Sequence, residues 1–555
     1  MAIEFSTLNE LFLANVDRFG ERPALKLAPS GERGLGAYKE TSYSELGELA
    51  ARCSGALERL GVTKGDRVAL ISKPRLEWQI GLWGALRLGA IVVPIDTELT
   101  PAEIRRILRE SEARVAIVDA KHLQALRALQ QELSKLEQVI PMDRSEEGSL
   151  WTLLERAEPR APVEIKPDDL ALIVYTSGTT GNAKGVMLSH YNLAFDVQAF
   201  LEGLDVTADD VALSIIPWHH IFGFTATILG PLCKGAMLIY TDDYKLLPQL
   251  MPANRVTILI GVPKLFNAMF QKIEERLGRG TARLVSKLSP GVIGRKLREG
   301  LTGEQFRFFV SGGAPLDPRT IVGFRRLGFG VIEGYGLTET SPVVSYSTPF
   351  NDKPGSVGPP IPGVEVRIAE PNEEGIGEIL VRGPNVMQGY YKNPERTKEV
   401  LDEGGWFHTG DLGKLDEENW LYIKGRKKNV IVLENGKNVY PEEVEFELGR
   451  SRYIEDILIK RGYRGGKEVV QALVYPDWER LKREGIASER LTEGEIAKVK
   501  ELLWREISTR GRNLAPYKRV KSREDIMVLS EPFEKTNSQD IKRYLYLEEG
   551  SRVGG

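Results

Sequence analysis

The chain has 555 residues, 42% hydrophobic and 28% charged, with a formal net charge of -3. That length calls for two or more domains with ample core, and a charge near zero gives no global pointer to nucleic acid. Two cysteines, Cys53 and Cys233, exclude a disulfide framework and fit a reducing cytoplasm; five histidines with one adjacent pair leave no zinc site in view.

Met1-Ala-Ile-Glu-Phe5 lacks a basic region followed by an apolar stretch, so no signal peptide is expected. Leu8 to Phe19 has helical apolar spacing, as does Ser44 to Leu60. Asp66 to Ile71 reads as a buried strand. The most apolar window, Trp78 to Ile95, is broken by Arg87 and Pro94. A buried helix ending near Leu88-Gly89, followed by a strand over Ala90 to Pro94, fits it better than a membrane span. Thr100 begins a helix over Pro101 to Ser111, and Ala113 to Asp119 is a further strand. Strands alternating with helices predict a mostly parallel α/β sheet.

Leu170-Ala-Leu-Ile-Val-Tyr175, a short β-branched run, leads into Thr176-Ser-Gly-Thr-Thr-Gly-Asn-Ala-Lys-Gly185. Glycines, hydroxyls and one ammonium at this density can surround a polyphosphate with N–H and O–H donors. The spacing Gly178-x-x-Gly181-x-x-Lys184-Gly185 is not that of a Walker A loop. Lys264 to Arg307 holds ten Lys/Arg against four Glu; a solvated helix face is the simpler reading, and coenzyme A phosphates or an anionic membrane surface the functional one.

Downstream, Ser311-Gly-Gly-Ala-Pro-Leu316 follows the strand Phe306 to Val310, and paired glycines there let a planar ring approach the backbone. Gly334-Tyr-Gly-Leu-Thr-Glu-Thr340 supplies an aromatic, a hydroxyl and a carboxylate suited to a hard cation. Trp406-Phe-His-Thr-Gly-Asp411 and Gly425-Arg426 pair a carboxylate with a guanidinium. Near Gly425 the chain turns polar, which sets an expected domain boundary: residues 1–424, then a small α+β domain over 425–555.

These motifs, in this order, resemble the adenylate-forming superfamily, which holds acyl-CoA synthetases, firefly luciferase and peptide-synthetase adenylation domains. The stretch Asn429 to Pro441 and the tail Phe533 to Arg543 are most similar to AMP-forming long-chain fatty acyl-CoA synthetases. The resemblance implies a large N-terminal domain of mostly parallel sheets with helices, and a small mobile C-terminal domain. It implies that Thr176, Ser177, Gly178, Thr179, Thr180, Gly181 and Lys184 clamp the ATP phosphates. Gly312, Gly313 and Ala314 line the adenine pocket, and Gly334, Tyr335 and Gly336 stack near it. Thr338 touches the α-phosphate and Glu339 holds Mg²⁺. Asp411, Tyr422 and Arg426 hold the ribose side, Lys428 is the hinge, and Gly436 lines the pantetheine tunnel for coenzyme A. In Pro217-Trp-His-His-Ile-Phe-Gly223, His220 gates the substrate carboxylate, and Trp218, Phe222, Gly223, Val262 and Pro263 form the acyl pocket walls.

One departure stands out. The family's T-x-x-x-K-[IV]-x-R pattern, which carries the adenylation lysine, reads Thr536-Asn-Ser-Gln-Asp-Ile-Lys-Arg543 here, so Asp540 occupies the lysine position. Lys542 or Lys535 could stand in for it. The expectation is therefore a fatty acid:CoA ligase using ATP, Mg²⁺ and coenzyme A, with weakened adenylation. Two alternatives are an acyl-adenylate enzyme delivering to a carrier protein, and a non-catalytic nucleotide or acyl-CoA binder. Chain length and oligomeric state are not legible in the sequence.

Overall fold

The computed structural model describes residues 3–28, 34–176, 183–277, 302–351, 353–434, 436–488, 491–536 and 540–547. It divides into two compact units. The first comprises Met1–Arg367, Leu380–His408 and Asp416–Leu421; the second comprises Ile368–Ile379, Thr409–Leu415 and Tyr422–Gly555.

The first unit is built on two large sheets. One has seven strands in the order Gly389–Tyr390, Lys184–Ser189, Leu170–Thr176, Ile91–Pro94, Arg67–Ile71, Val115–Val118 and Gln138–Pro141. From Leu170–Thr176 to Gln138–Pro141 the pairing is parallel; the two strands at the other edge are antiparallel. Arg67–Ile71 and Val115–Val118 are buried almost throughout, which is why they read as unbroken apolar runs instead of alternating ones. The other sheet has eight strands, parallel from Pro23–Leu27 through Gly330–Gly336 and antiparallel at both edges.

Helix boundaries follow the capping chemistry. Thr7 accepts from the Glu10 amide at 3.1 Å while Glu10 accepts from the Thr7 amide at 3.0 Å, so Leu8–Phe19 starts where a reciprocal capping box satisfies two otherwise orphaned donors. Thr100 and Glu103 repeat the device ahead of Pro101–Ser111, with proline at the first turn. The window Trp78 to Ile95 resolves into the helix Leu76–Arg87 and the strand Ile91–Pro94, and no described helix is long and apolar enough to cross a membrane.

An aromatic cluster of Phe266, Phe306, Phe309, Phe324 and Phe329 packs behind the eight-stranded sheet, with Phe309 within 5.4 Å of each of the others. This cluster backs the strand Phe308–Ser311, whose end carries the Gly312-Gly313 turn.

The second unit carries a three-stranded sheet. Ile454–Arg464 and Lys467–Pro476 form a long antiparallel hairpin, and Ile526–Val528 adds in parallel. Helices Pro441–Leu448 and Glu493–Gly511 cover it through Val444, Leu448, Val499, Leu503 and Ile507. Arg543 donates to Glu445 at 2.6 Å and to the Ile459 carbonyl at 2.7 Å, tying the C-terminal tail to this sheet.

Candidate active site

The hairpin that opens the first group of site residues joins Leu170–Thr176 to Lys184–Ser189, with Thr176 in register with Lys184. Ser177, Gly178, Thr179, Thr180 and Gly181 lie outside the described residues. Lys184 is therefore fixed by sheet pairing on the loop's far side. Its ammonium lies 4.9 Å from the centre of the Tyr390 ring, within cation–π range. Burial lowers its pKa, the nearby Arg396 adds to that, and Glu339 and Glu399 oppose it.

Tyr390 arrives there because the two-residue strand Gly389–Tyr390 pairs with Lys184–Ser189, Tyr390 opposite Val186, and because Tyr391 N–H donates to the Gly185 carbonyl at 2.7 Å. Its hydroxyl donates to Glu339 Oε1 at 2.8 Å. Tyr390 was not legible as a site residue in the sequence, where Gly-Tyr-Tyr is an unremarked tripeptide.

Glu339 sits in the short turn Thr338–Thr340, directly after the strand Gly330–Gly336 that carries Gly334 and Tyr335. The turn is clamped from several sides. Leu337 N–H donates to the Pro342 carbonyl at 3.1 Å, and Met387 N–H to the Glu339 carbonyl at 2.9 Å. Asn385 donates to the Thr340 carbonyl at 3.1 Å and the Val343 carbonyl at 2.8 Å. The fully buried Asp196 accepts from Val343 N–H at 3.1 Å. Burial raises the Asp196 pKa well above the carboxylate range, against its hydrogen bonds from Val343 and Asn385.

Gly336 is required by crowding. A Cβ there would lie 1.7 Å from the Pro342 carbonyl oxygen, a backbone atom that cannot step aside. Gly336→Ala is expected to displace the turn and weaken nucleotide binding at least tenfold, read by calorimetry with a non-hydrolysable ATP analogue.

Gly312 and Gly313 follow Phe308–Ser311. Gly313 takes φ +84°, and a Cβ on Gly312 would come within 3.0 Å of the Phe222 ring. Ala314 is exposed beside them. The Phe222 segment and the Gly312 turn are thus neighbours, though nearly a hundred residues separate them in the chain. Gly223 packs equally tightly, its Cβ position 2.1 Å from the Pro217 carbonyl oxygen. Trp218 is buried, with Trp78 at 5.4 Å and Tyr240 at 5.7 Å between ring centres. Val262 is partly exposed and Pro263 begins the helix Pro263–Leu277.

His219 and His220 have ring centres 4.3 Å apart, and Asp96 Oδ1 lies 3.5 Å from His219 Nε2. Burial and the neighbouring His220 push the His219 pKa down to about 3, so that ring is neutral near pH 7. Counting histidines in the sequence leaves a pair with no third ligand. The fold brings Asp96 beside the pair, so that one ligand atom from each of the three lies within 4.8 Å of the others.

In the second unit, Asp411 and Arg426 are joined at 2.8 Å between Oδ1 and Nε, with Asp411 buried and Arg426 exposed. Asp411 N–H also donates to Thr409 Oγ1 at 3.0 Å. Tyr422 lies half-buried on Leu421–Arg426, and Lys428 is exposed in the turn Lys427–Asn429. Gly436 is exposed with φ +76° and open space where a Cβ would stand, so within this unit its backbone angle is what demands glycine.

Asp540 is exposed. Its amide donates to Thr536 Oγ1 at 3.2 Å and its carbonyl accepts from Thr536 N–H at 2.8 Å. Lys535 pairs with Asp456 at 2.7 Å, both largely buried. Lys542 is half-exposed and enters no ion pair with the described residues. Of the two candidate stand-ins for the missing lysine, Lys535 is thus already committed to a carboxylate.

A protein-family profile described as AMP-binding enzyme matches residues 12–391. The chain is 31% identical over 549 residues to human long-chain-fatty-acid–CoA ligase 6, covering 89% of this chain and 78% of that protein. It is 33% identical over 452 residues to long-chain-fatty-acid–CoA ligase FadD15 of Mycobacterium bovis, covering 74% of each. Among solved structures, ATP-bound MatB from Rhodopseudomonas palustris superimposes with a TM-score of 0.77 at 28% identity, covering 97% of both chains.

Proposed function

The chain belongs to the AMP-binding enzyme family of adenylate-forming ligases, and from that premise we propose that it is an AMP-forming fatty acyl-CoA synthetase whose first half-reaction is weakened. The observation that carries the nucleotide site is the meeting of Lys184 and Glu339, from separate motifs, on the one Tyr390 side chain. The substrate class rests on the long-chain-fatty-acid ligases among its relatives.

In this reading, carboxylate and ATP form an acyl-adenylate and release pyrophosphate; the thiol of coenzyme A then displaces AMP. Lys184 draws the phosphates through charge, and Thr338 donates to the α-phosphate. Asp411 accepts from the ribose hydroxyls, and Arg426, ion-paired with that carboxylate, anchors the ribose or phosphate side. His220, with the neutral His219 ring beside it, gates the entry of the acyl pocket, whose walls are Trp218, Phe222, Gly223, Val262 and Pro263.

Glu339 fits a hard divalent cation: Oε1 is fixed by Tyr390, Oε2 takes no hydrogen bond from the described residues, and carboxylate oxygen is the donor type Mg²⁺ takes. Bound there, the ion would supply charge neutralisation for the phosphates. In this reading residue 540 serves the adenylation step, the Gly436 loop serves coenzyme A, and Lys428 is the hinge.

Incubation with ATP, Mg²⁺, coenzyme A and a panel from octanoate to stearate is expected to give acyl-CoA, AMP and pyrophosphate. Transfer to a carrier protein but not to coenzyme A would overturn the acceptor; binding of ATP and acyl-CoA with no product from either ATP or acyl-AMP would make the chain a binder.

A further inference from the structure

Opposite charges a few ångströms apart in a half-buried setting normally pair, and the pair must then be broken before either can meet a ligand. Lys184 and Glu339 are close enough to feel each other's charge, yet no ion pair within 4.0 Å joins these two described residues; each is held by Tyr390 instead. What stands with them is Tyr390, its ring under the ammonium at 4.9 Å and its hydroxyl on the carboxylate at 2.8 Å.

From this geometry we infer that Tyr390 is a positioning residue that keeps the phosphate-binding lysine and the cation-binding carboxylate apart and pre-aimed, giving each a weak neutral partner in place of each other. This rests on the nucleotide site proposed above.

The argument is one of reorganisation. A cation over an aromatic face and a phenol donating to a carboxylate are both modest interactions in a partly exposed site. Neither neutralises its partner, so Lys184 keeps its full charge for phosphate and Glu339 keeps Oε2 for the ion. A direct Lys184–Glu339 pair would cancel both charges and would have to be separated on binding, which raises the binding cost. The backbone supports a dedicated role. Tyr390 is pinned on both sides, by its pairing with Val186 and by its own amide donating to Thr397 Oγ1 at 2.9 Å. The Glu339 carbonyl is held independently by Met387 N–H at 2.9 Å, three residues from Tyr390 in the same segment. The segment Met387 to Tyr390 therefore holds both the backbone and the side chain of Glu339 while lying in the same sheet as Lys184.

Burial and the adjoining Glu339 carboxylate hold the Tyr390 hydroxyl well above its ordinary pKa. It stays a donor throughout the working range of pH.

The test measures the affinity of the full chain for a methylene-bridged ATP analogue by calorimetry, once with Mg²⁺ and once with EDTA. The ratio of the two isolates the cation's contribution. Tyr390→Phe keeps the ring and loses the hydroxyl; it is expected to leave the EDTA affinity within twofold and cut the Mg²⁺ enhancement roughly tenfold, the scale of one hydrogen bond to a charged group. Tyr390→Leu lets the charges close on one another and is expected to lower both affinities. Thermal midpoints, with far-ultraviolet dichroism, identify any loss of fold.

An Mg²⁺ enhancement in Tyr390→Phe equal to wild type overturns the inference. Equal losses with and without Mg²⁺ at an unchanged thermal midpoint also overturn it, since they would mean the hydroxyl acts on the nucleotide and not on Glu339. Lys184→Ala and Glu339→Gln separate the premise from the inference. If Lys184→Ala leaves the EDTA affinity intact and Glu339→Gln leaves the Mg²⁺ enhancement intact, the nucleotide site is misplaced and the inference falls with it. If both respond while Tyr390→Phe does not, the site stands and the role of Tyr390 alone is refuted.

Discussion

Asp540→Lys is expected to raise pyrophosphate release by about a thousandfold with ATP, Mg²⁺ and a long-chain acid, while leaving the reaction of acyl-adenylate with coenzyme A within about twofold. Attack of a carboxylate on the α-phosphate brings two anions together, and a cation between them is worth most where charge concentrates in the transition state. At 4 Å and an effective dielectric of about 20, one unit charge contributes about 4 kcal/mol as an upper guide, close to a factor of a thousand in rate. Asp540 supplies the opposite sign. Because Asp540 is exposed, the replacement removes no core contact and should leave the thermal midpoint in place. Thioester formation, which joins a neutral thiol or its anion to an already activated acyl group, has no use for that charge. If the chain as it stands releases pyrophosphate as fast as Asp540→Lys, another cation does the work. Lys542 is the one to remove next, since Lys535 is tied to Asp456.

The second large effect is expected at Glu339. Glu339→Gln preserves the size of the side chain and its capacity to accept from the Tyr390 hydroxyl, but removes the negative charge. Adenylation should fall by a hundredfold to a thousandfold, on the order of one unit of charge against a divalent ion at a partly buried site. The loss should shrink when Mg²⁺ is raised to tens of millimolar, because part of it is weakened ion affinity. Steady-state pyrophosphate release against Mg²⁺ concentration reads both. A rate within threefold of wild type at all Mg²⁺ concentrations would remove Glu339 from the metal site. Asp540→Lys is the suitable background, since it gives a first half-reaction fast enough to follow the decrease.

Much of this was legible in the residues. Thr100-Pro-Ala-Glu103 announces a helix start because hydroxyl, proline and carboxylate stand where the first turn needs an acceptor, a fixed φ and a return bond, and Pro101–Ser111 begins there. Val115–Val118 was legible because a strand covered on both faces has no polar alternation. The phosphate loop, Gly334 to Thr340 and Asp411 with Arg426 stand out in the sequence because each clusters unusual residues within a few positions.

What stayed hidden depends on pairing across distance. Tyr390 matters only because a two-residue strand seats it opposite Val186, and nothing in Gly389-Tyr390-Tyr391 states that partner. Asp96 reaches His219 across two sheets' worth of sequence. Asp196 looks like a lone acid in an apolar helix until Val343 and Asn385 are folded against it. Local chemistry gives capping and loop signals; tertiary register decides which loop a side chain serves. Trp218 shows another side of this: the resemblance implies a pocket wall, while its ring packs against Trp78 and Tyr240, partners that the local sequence does not name.

The central claim, that this chain makes coenzyme A thioesters from acyl-adenylates, is tested most directly by supplying synthetic palmitoyl-adenylate and coenzyme A to the unmodified chain and quantifying palmitoyl-CoA and AMP by mass spectrometry. The account predicts the two products in equal amounts, at a rate that Asp540→Lys does not change. AMP with free palmitate and no thioester, or no turnover at all, would contradict it.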